Sequence, residues 1–135
     1  MNFKILKIAA WNIHSVNDKL SEKNVKNLLD TYAFVFLTEI KPSRNITCTG
    51  FTVFQNSAKQ GHRGGIALLI KHYLKKFVCN LDRSYENIIS FELTFLPNIL
   101  FLGCYLTLRD SQYYDPAIFG YIKGILKRAA RQFTL

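Results

Sequence analysis

The feature of this sequence that most constrains its fold is the almost wholly apolar run FVFLT, residues 34–38, which ends directly on a carboxylate, Glu39. A short apolar run without alternation is typical of a strand that is buried on both faces of a sheet. A carboxylate at the end of such a strand costs free energy to bury unless it is paired or bound to a metal ion. The run therefore predicts a central β-strand and marks Glu39 as a candidate functional residue.

A strand and a helix are predicted before this run. The first strand extends from residue 3 to residue 10 or 11, a nearly continuous apolar stretch. From Ser21, the expected N-cap, apolar residues recur with helical spacing at Val25, Leu28, Leu29 and Tyr32. Strand, helix and strand in this order favour a parallel pair of strands with the helix packed on one face.

Further strands and a second helix are predicted after it. The strands are expected at residues 51–55, 65–70, 77–80, 88–95 and 99–105, and Leu96-Pro97-Asn98 predicts a hairpin turn between the last two. The closing helix has Asp115 as its expected N-cap and Pro116 at its first position. Its predicted apolar face comprises Ile118, Tyr121, Ile122, Ile125, Leu126 and Ala129. The chain is therefore predicted to be α+β, with helices outside a mixed sheet or a layered sandwich.

Composition and charge limit the classes to which the chain can belong. Its 135 residues suffice for one domain, and its hydrophobic content of 49% excludes a disordered chain. The net charge of +9 favours nucleic acid as a partner, or else an anionic membrane surface, although an evenly basic surface remains an alternative. The chain has no apolar run of membrane-spanning length and no recognisable signal peptide, so we expect an intracellular protein without a membrane partner.

Asn12 and Glu39 each follow a predicted buried strand. If these strands are parallel neighbours, both side chains emerge at the sheet edge where α/β proteins bind ligands. A carboxylate and an amide oxygen suit a hard divalent cation such as Mg²⁺. The structural alternatives are that Asn12 satisfies backbone groups in a turn and that Glu39 forms a surface ion pair with Lys41 or Arg44.

Two further segments contain candidate contacts to a phosphate. In GHRGGIALLI, residues 61–70, the glycines either form a tight turn or bulge, or bring Arg63 and the backbone close to a phosphate. Tyr105 ends an apolar strand and either caps the core or donates a hydrogen bond to a phosphate oxygen. The histidines lack metal-ligand spacing and are interpreted as surface or turn residues: His14, His62 and His72.

Four elements of the sequence resemble, in order and spacing, the front half of the endonuclease/exonuclease/phosphatase superfamily. They are Trp11-Asn12-Ile13, Thr38-Glu39, Arg63-Gly64-Gly65 and Gly103-Cys104-Tyr105. The loop of residues 109–115 most resembles the endonuclease domains of non-LTR retrotransposons, which are relatives of apurinic endonucleases. The match extends over almost the whole chain.

The resemblance implies a four-layer αββα sandwich of the DNase I-like type, of which this chain is the N-terminal portion. It also implies an endonuclease that nicks DNA with Mg²⁺, or with Mn²⁺ as the alternative ion. Glu39 would be the metal-binding carboxylate, supported by Asn12, and Tyr105 would be catalytic through a contact with the scissile phosphate. Arg63 is the candidate substrate-binding residue. DNA would be held through its phosphates, and a nuclear location is implied.

The resemblance further implies that the chain is a fragment. Domains of this superfamily continue with an Asp-x-Asn motif, which orients the attacking water, and with an Asp-His pair whose histidine is central to catalysis; this sequence has neither. Whether the chain is an enzyme by itself therefore stays open, and we expect little or no cleavage from it alone. Strands 88–95 and 99–105 are expected to lack full cover, which favours self-association.

Two alternatives to a nuclease remain open from the sequence. The chain could be a non-catalytic basic module that binds nucleic acid, a remnant of a mobile element. It could also be a phosphatase of the same superfamily that acts on a lipid or inositol phosphate, although the positive charge and the retrotransposon-like loop disfavour that reading.

Overall fold

The structure, a computed structural model, describes residues 5–16, 18–41, 45–56, 64–107, 109, 111 and 114–133. The strands in this part of the chain are β1 (Ile8–Asn12), β2 (Phe34–Thr38), β3 (Phe51–Asn56), β4 (Ile66–Lys71), β5 (Val78–Asp82), β6 (Ile88–Leu93) and β7 (Leu96–Cys104). The α-helices are α1 (Lys23–Leu29) and α2 (Ala117–Phe133), and short 3₁₀ helices occupy Lys19–Ser21 and His72–Phe77.

The strands form two sheets. The first sheet has the order β1-β2-β4-β3, in which β1 and β2 are parallel and the other pairs are antiparallel. The second sheet is antiparallel with the order β5-β6-β7. The predicted parallel pairing of the first two strands is confirmed, with Asn12 opposite Thr38 at the carboxyl ends.

Three hydrophobic clusters separate four layers. In the first, Leu29 of α1 packs with Val35 and Leu37 on one face of β2. The alternate residues Phe34 and Phe36 point to the other face of β2, where they form the core between the two sheets. A third cluster lies beyond the second sheet, where α2 packs through Ile118 and Ile125. The predicted four-layer αββα sandwich is confirmed.

A glycine sets the closest approach between the two sheets. A Cβ atom on Gly103 of β7 would lie 2.3 Å from Cδ1 of Phe36 on β2, so only glycine fits beneath this ring. The neighbouring aromatic rings pack edge to face around the same point, with Phe34 5.1 Å from Phe91 and 4.9 Å from Phe101 between ring centroids. Full burial of each such ring contributes about 2–3 kcal/mol before the entropic cost of ordering it.

The predicted starts of the two helices have different outcomes. Ser21 is not the N-cap of α1: it ends a 3₁₀ helix, its hydroxyl donates to the carbonyl of Asp18 at 2.7 Å, and Glu22 is the N-cap. Asp115 caps α2 as predicted, because its Oδ1 accepts a hydrogen bond from the backbone N–H of Ala117 at 3.0 Å. Ile118 and Ile125 are buried, but Leu126 is 55% exposed and does not belong to the apolar face.

The hairpin between the last two strands also differs from the prediction. Leu93 pairs with Leu96, so the turn lies at residues 94–95 and Pro97 belongs to β7. The end position of β7 in its sheet explains why proline is tolerated, since an edge strand does not use every backbone N–H. The strands predicted at residues 88–95 and 99–105 were expected to be incompletely covered. This expectation is wrong for β6, all of whose residues are buried, whereas Ile99 of β7 is 44% exposed.

We predict that Gly103→Ala lowers the free energy of unfolding by about 1–3 kcal/mol, because the new methyl group must displace Phe36 from a packed core. Gly120→Ala on α2 is the matched control. Nothing lies within 4 Å of a Cβ at that position, so alanine should raise stability by about 0.5–1 kcal/mol. Urea denaturation measures both changes, and a Gly103→Ala protein as stable as wild type would contradict the proposed packing.

Candidate active site

The parallel pair β1 and β2 brings Asn12 and Glu39 together. Asn12 is the last residue of β1 and lies opposite Thr38, the residue before Glu39. The loops continue side by side after the strands end, since the N–H of Ser15 donates to the carbonyl of Glu39 at 2.7 Å. The side chain of Asn12 also helps to lower the pKa of the Glu39 carboxylate.

Both loops have backbone conformations that side-chain-bearing residues rarely adopt. Glu39 has φ +55° and His14 has φ +51°, in the left-handed region. For a residue other than glycine this conformation costs about 1 kcal/mol or more, and it persists only where the surrounding structure holds it. Such residues are concentrated at functional sites, so this geometry supports a functional role for the edge where β1 and β2 end.

The Glu39 carboxylate has one satisfied and one unsatisfied oxygen. The hydroxyl of Tyr105 donates a hydrogen bond to Oε1 at 2.6 Å. Nδ1 of His14 lies 2.7 Å from Oε2, but it is not aligned as a hydrogen-bond donor. Oε2 is therefore buried without a hydrogen-bond donor among the described residues. A buried anionic oxygen in this state is a ready ligand for a cation.

The surroundings keep Glu39 ionised. The hydrogen bond from Tyr105 is the largest influence that lowers the pKa of Glu39 below its ordinary value of 4.5, and the nearby charges of His14 and Lys41 and the Asn12 hydrogen bond lower it further. Partial burial acts in the opposite direction but does not outweigh them. At neutral pH the carboxylate is negatively charged and available to a metal ion.

Asn87 holds Tyr105 in place. The backbone N–H of Tyr105 donates to the carbonyl of Asn87 at 2.9 Å, and Oδ1 of the same asparagine accepts from the N–H of Gly65 at 3.2 Å. Gly64 and Gly65 have φ +90° and +84°, conformations that favour glycine. This pair therefore lets the chain entering β4 pass close to Tyr105, whose ring carbons would lie 3.6 Å from a Cβ on Gly64.

The structure thus brings three of the four predicted site residues together: Asn12, Glu39 and Tyr105. Arg63, the fourth, lies outside the described residues. The interpretation of His14 as a surface or turn residue agrees with the structure, since its side chain is 71% exposed. The sequence did not reveal its contact with Glu39 or the role of Asn87. The only sequence signal for Asn87 is a polar residue placed directly before a buried strand.

The donors at this edge suit a hydrated divalent ion rather than a closed metal cage. The described part of the chain contains no group of three His, Cys, Asp or Glu side chains that could hold a metal. Glu39 offers one carboxylate and Asn12 one amide oxygen, and an ion such as Mg²⁺ keeps several waters when it has one or two protein carboxylates. The unsatisfied Oε2 atom fits this kind of ion.

The described residues also line a cavity that lies away from the candidate site. Its volume is about 790 Å³, and residues from α1, the loop at 45–49 and β3 line it, among them Lys26, Cys48 and Phe51. None of the site residues named above lines this cavity, and the neighbouring cleft beside Tyr105 is very small.

Comparisons with known proteins assign the fold. No protein-family model and no curated protein matches the sequence. Among solved structures, the chain resembles a 3'-5' exonuclease from Neisseria meningitidis, with a TM-score of 0.64, 17% identity, and coverage of 93% of this chain and 54% of that one. It also resembles an AP endonuclease from Archaeoglobus fulgidus, with a TM-score of 0.58, 16% identity, and coverage of 97% and 52%. The chain has the DNase I-like fold.

A third similar structure is a Neisseria 3' phosphatase bound to a product DNA hairpin, with a TM-score of 0.59 and 16% identity. The match covers 94% of this chain and 52% of the phosphatase chain. The chain thus spans about half the length of the structures it matches.

Neither α-helix in the described part is long and apolar enough to cross a membrane.

We predict that Tyr105→Phe raises the pKa of Glu39 toward its ordinary value, because it removes the largest interaction that lowers this pKa. Carbon-detected NMR of the glutamate carboxyl groups measures the change, and Tyr73→Phe, on the 3₁₀ helix before β5, is the control. Folding lowers the Glu39 pKa, so the stability that its interactions contribute is present above pH 4.5 and is lost as the pH falls through the folded-state value.

The stability difference between wild type and Tyr105→Phe should accordingly shrink on acidification. A stability difference that grows below pH 4.5 would show that Tyr105 does not hold this carboxylate. A Glu39 pKa that the substitution leaves unchanged would show the same.

Proposed function

We propose that this chain is part of a divalent-metal-dependent endonuclease that cuts phosphodiester bonds in DNA. The observation that carries the proposal is Oε2 of Glu39, a buried anionic oxygen without a hydrogen-bond donor in the described part of the chain. It lies where β1 and β2 end, beside a tyrosine hydroxyl and an asparagine amide. The DNase I-like fold supports the same class, because the similar structures are those of an AP endonuclease, an exonuclease and a DNA 3' phosphatase.

The residues at the site have separate tasks in the proposed reaction. Glu39 would hold the ion, with Oε2 as its available ligand atom, and Asn12 would support the site with its amide. Tyr105 fixes the orientation of the carboxylate through Oε1. When bound, the ion, Mg²⁺ or Mn²⁺, would stabilise the negative charge that develops on the phosphate and on the leaving oxygen. Glu39 is ionised at neutral pH, so no proton has to be displaced before a metal ion binds.

Tyr105 and Arg63 are the proposed contacts to the substrate. The hydroxyl of Tyr105 donates to Glu39 in the observed arrangement, so a contact with the scissile phosphate requires it to change its acceptor when DNA binds. Arg63 directly precedes Gly64, which lies beside the Tyr105 ring. We propose that its guanidinium binds a phosphate oxygen, a geometry for which arginine is well suited.

DNA is the proposed substrate, held mainly through its phosphates. The net charge of +9 suits a long anionic polymer. The retrotransposon type and a nuclear location rest on the resemblance of the 109–115 loop, part of which lies outside the described residues. We also propose that residues 1–135 form one partial domain with little activity alone, because the sequence lacks the Asp-x-Asn motif and the Asp-His pair.

Self-association is proposed through apolar side chains near the open ends of the two sheets. β1 and β7 are end strands, and each pairs on one side only among the described strands. The exposed large apolar residues on these strands, or within three residues of their ends, are Ile5, Ile8, Ile99 and Leu106. Association would bury these side chains and remove their apolar surface from water. Sedimentation velocity tests the proposal, and a single monomeric species at high protein concentration would contradict it.

We predict that Glu39→Gln removes divalent-metal binding and any DNA nicking, because it replaces the anionic ligand with a neutral amide of the same size. Isothermal titration with Mn²⁺ and a nicking assay on supercoiled plasmid measure the two effects. Glu22→Gln is the matched control, since Glu22 is the N-cap of α1 and its side chain makes no capping hydrogen bond. Metal binding or nicking that survives Glu39→Gln would remove this residue from the mechanism.

DNA binding should be insensitive to sequence and sensitive to salt. Two unrelated duplexes should bind equally within about twofold, and their affinity should fall by about tenfold or more between about 50 and about 200 mM salt, because phosphate contacts release counterions. Anionic liposomes are the comparison that separates a nuclease from a lipid phosphatase. Tighter binding to liposomes containing phosphoinositides than to DNA would favour the phosphatase, and DNA binding without Glu39-dependent metal binding would favour the non-catalytic module.

A further inference from the structure

His14 belongs to the candidate site although its sequence position gives no metal-ligand spacing. Its Nδ1 atom is 2.7 Å from Oε2 of Glu39, the same oxygen that lacks a hydrogen-bond donor. The imidazole is 71% exposed, whereas the Glu39 side chain is only 16% exposed. An imidazole nitrogen on the solvent side therefore faces a buried carboxylate oxygen.

The backbone holds His14 in this position. Its N–H donates to Oδ1 of Asn12 at 3.4 Å, and the ammonium group of Lys19 donates to the carbonyls of Ile13 and His14 at 2.6 Å and 3.2 Å. The next residue, Ser15, is tied to the loop after β2 by its hydrogen bond to the Glu39 carbonyl. The imidazole is thus presented to Glu39 by a fixed turn.

An ordinary ion pair explains this arrangement poorly. A pair with one largely exposed partner contributes at most about 1 kcal/mol, comparable to the cost of the left-handed backbone at His14 and at Glu39. The pair is also not aligned as a hydrogen bond. Two donor atoms 2.7 Å apart can both contact one transition-metal ion such as Zn²⁺, whose bonds to imidazole nitrogen and carboxylate oxygen are about 2.0–2.2 Å long.

We infer that His14 is a metal ligand together with Glu39, and that it makes the site prefer Mn²⁺ or a similar transition-metal ion over Mg²⁺. The inference rests on the proposed function, which places the ion at Glu39. Mg²⁺ prefers oxygen ligands, whereas transition-metal ions bind imidazole nitrogen well. With Asn12 as an oxygen donor, the site would offer the ion one nitrogen and two oxygens.

Electron spin-echo spectroscopy of bound Mn²⁺ tests this directly, because it detects a coordinated nitrogen without any measurement of activity. The whole 135-residue chain is used. His14→Asn is the test variant, since asparagine tolerates the left-handed backbone at this position. His72→Asn is the control, because His72 lies on a 3₁₀ helix and contacts Thr52. Thermal unfolding of each variant checks that it remains folded.

The expected result is a nitrogen coupling in wild type and in His72→Asn that is lost in His14→Asn. The Mn²⁺ affinity of His14→Asn should fall by about tenfold, the lower end of the loss seen when even an outer partner of a metal site is removed. The Mg²⁺ affinity should change much less.

The experiment separates a failure of the His14 inference from a failure of the proposed function. Mn²⁺ binding that depends on Glu39 but shows no nitrogen coupling in wild type, or a coupling that persists in folded His14→Asn, would overturn the role of His14 and leave the proposed function intact. Mn²⁺ binding that Glu39→Gln leaves unchanged, or no Mn²⁺ binding at all, would overturn both.

Discussion

The parallel pairing of β1 with β2 is the constraint on which the rest of this structure depends. It places Asn12 opposite Thr38 and therefore beside Glu39, although these residues are far apart in the chain. The register is well determined because Phe34 and Phe36 must face the second sheet while Val35 and Leu37 face α1. A slip of one residue would exchange these faces and turn the site residues away from each other.

The second sheet completes the site through the core that joins it to the first. Gly103 of β7 lies against Phe36 of β2, and this contact allows the sheets to approach closely. Tyr105 follows Gly103 by two residues and Glu39 follows Phe36 by three, so the same approach brings hydroxyl and carboxylate within 2.6 Å. The core packing that brings the two sheets together therefore also sets the geometry of the site. Stability and the geometry of the site should respond together to changes at this contact.

The sequence predicts the elements whose signals are local and strong. The bounds of β2 match the prediction because five nearly apolar residues lie between a turn and a charge, and the cap of α2 matches because Asp115-Pro116 is a clear helix start. The apparent turn at Pro97 misleads, since the register of β6 against β7 fixes the hairpin two residues earlier, on an edge strand that accepts proline. Ser21 misleads in a similar way, because a 3₁₀ turn uses it before α1 begins.

The site is predictable only in part for a physical reason. Asn12 and Glu39 lie at strand ends, and strand order alone brings them together. His14 reaches Glu39 through a left-handed turn, and Asn87 reaches Tyr105 and Gly65 across separate loops, which no spacing in the sequence reveals.

Anomalous diffraction from crystals soaked in Mn²⁺ would test the central claim most directly. The account predicts a manganese peak in contact with Oε2 of Glu39, with Oε1 still bonded to Tyr105. A peak only at other carboxylates, or Oε2 satisfied by a protein donor in crystals exposed to Mn²⁺, would contradict it.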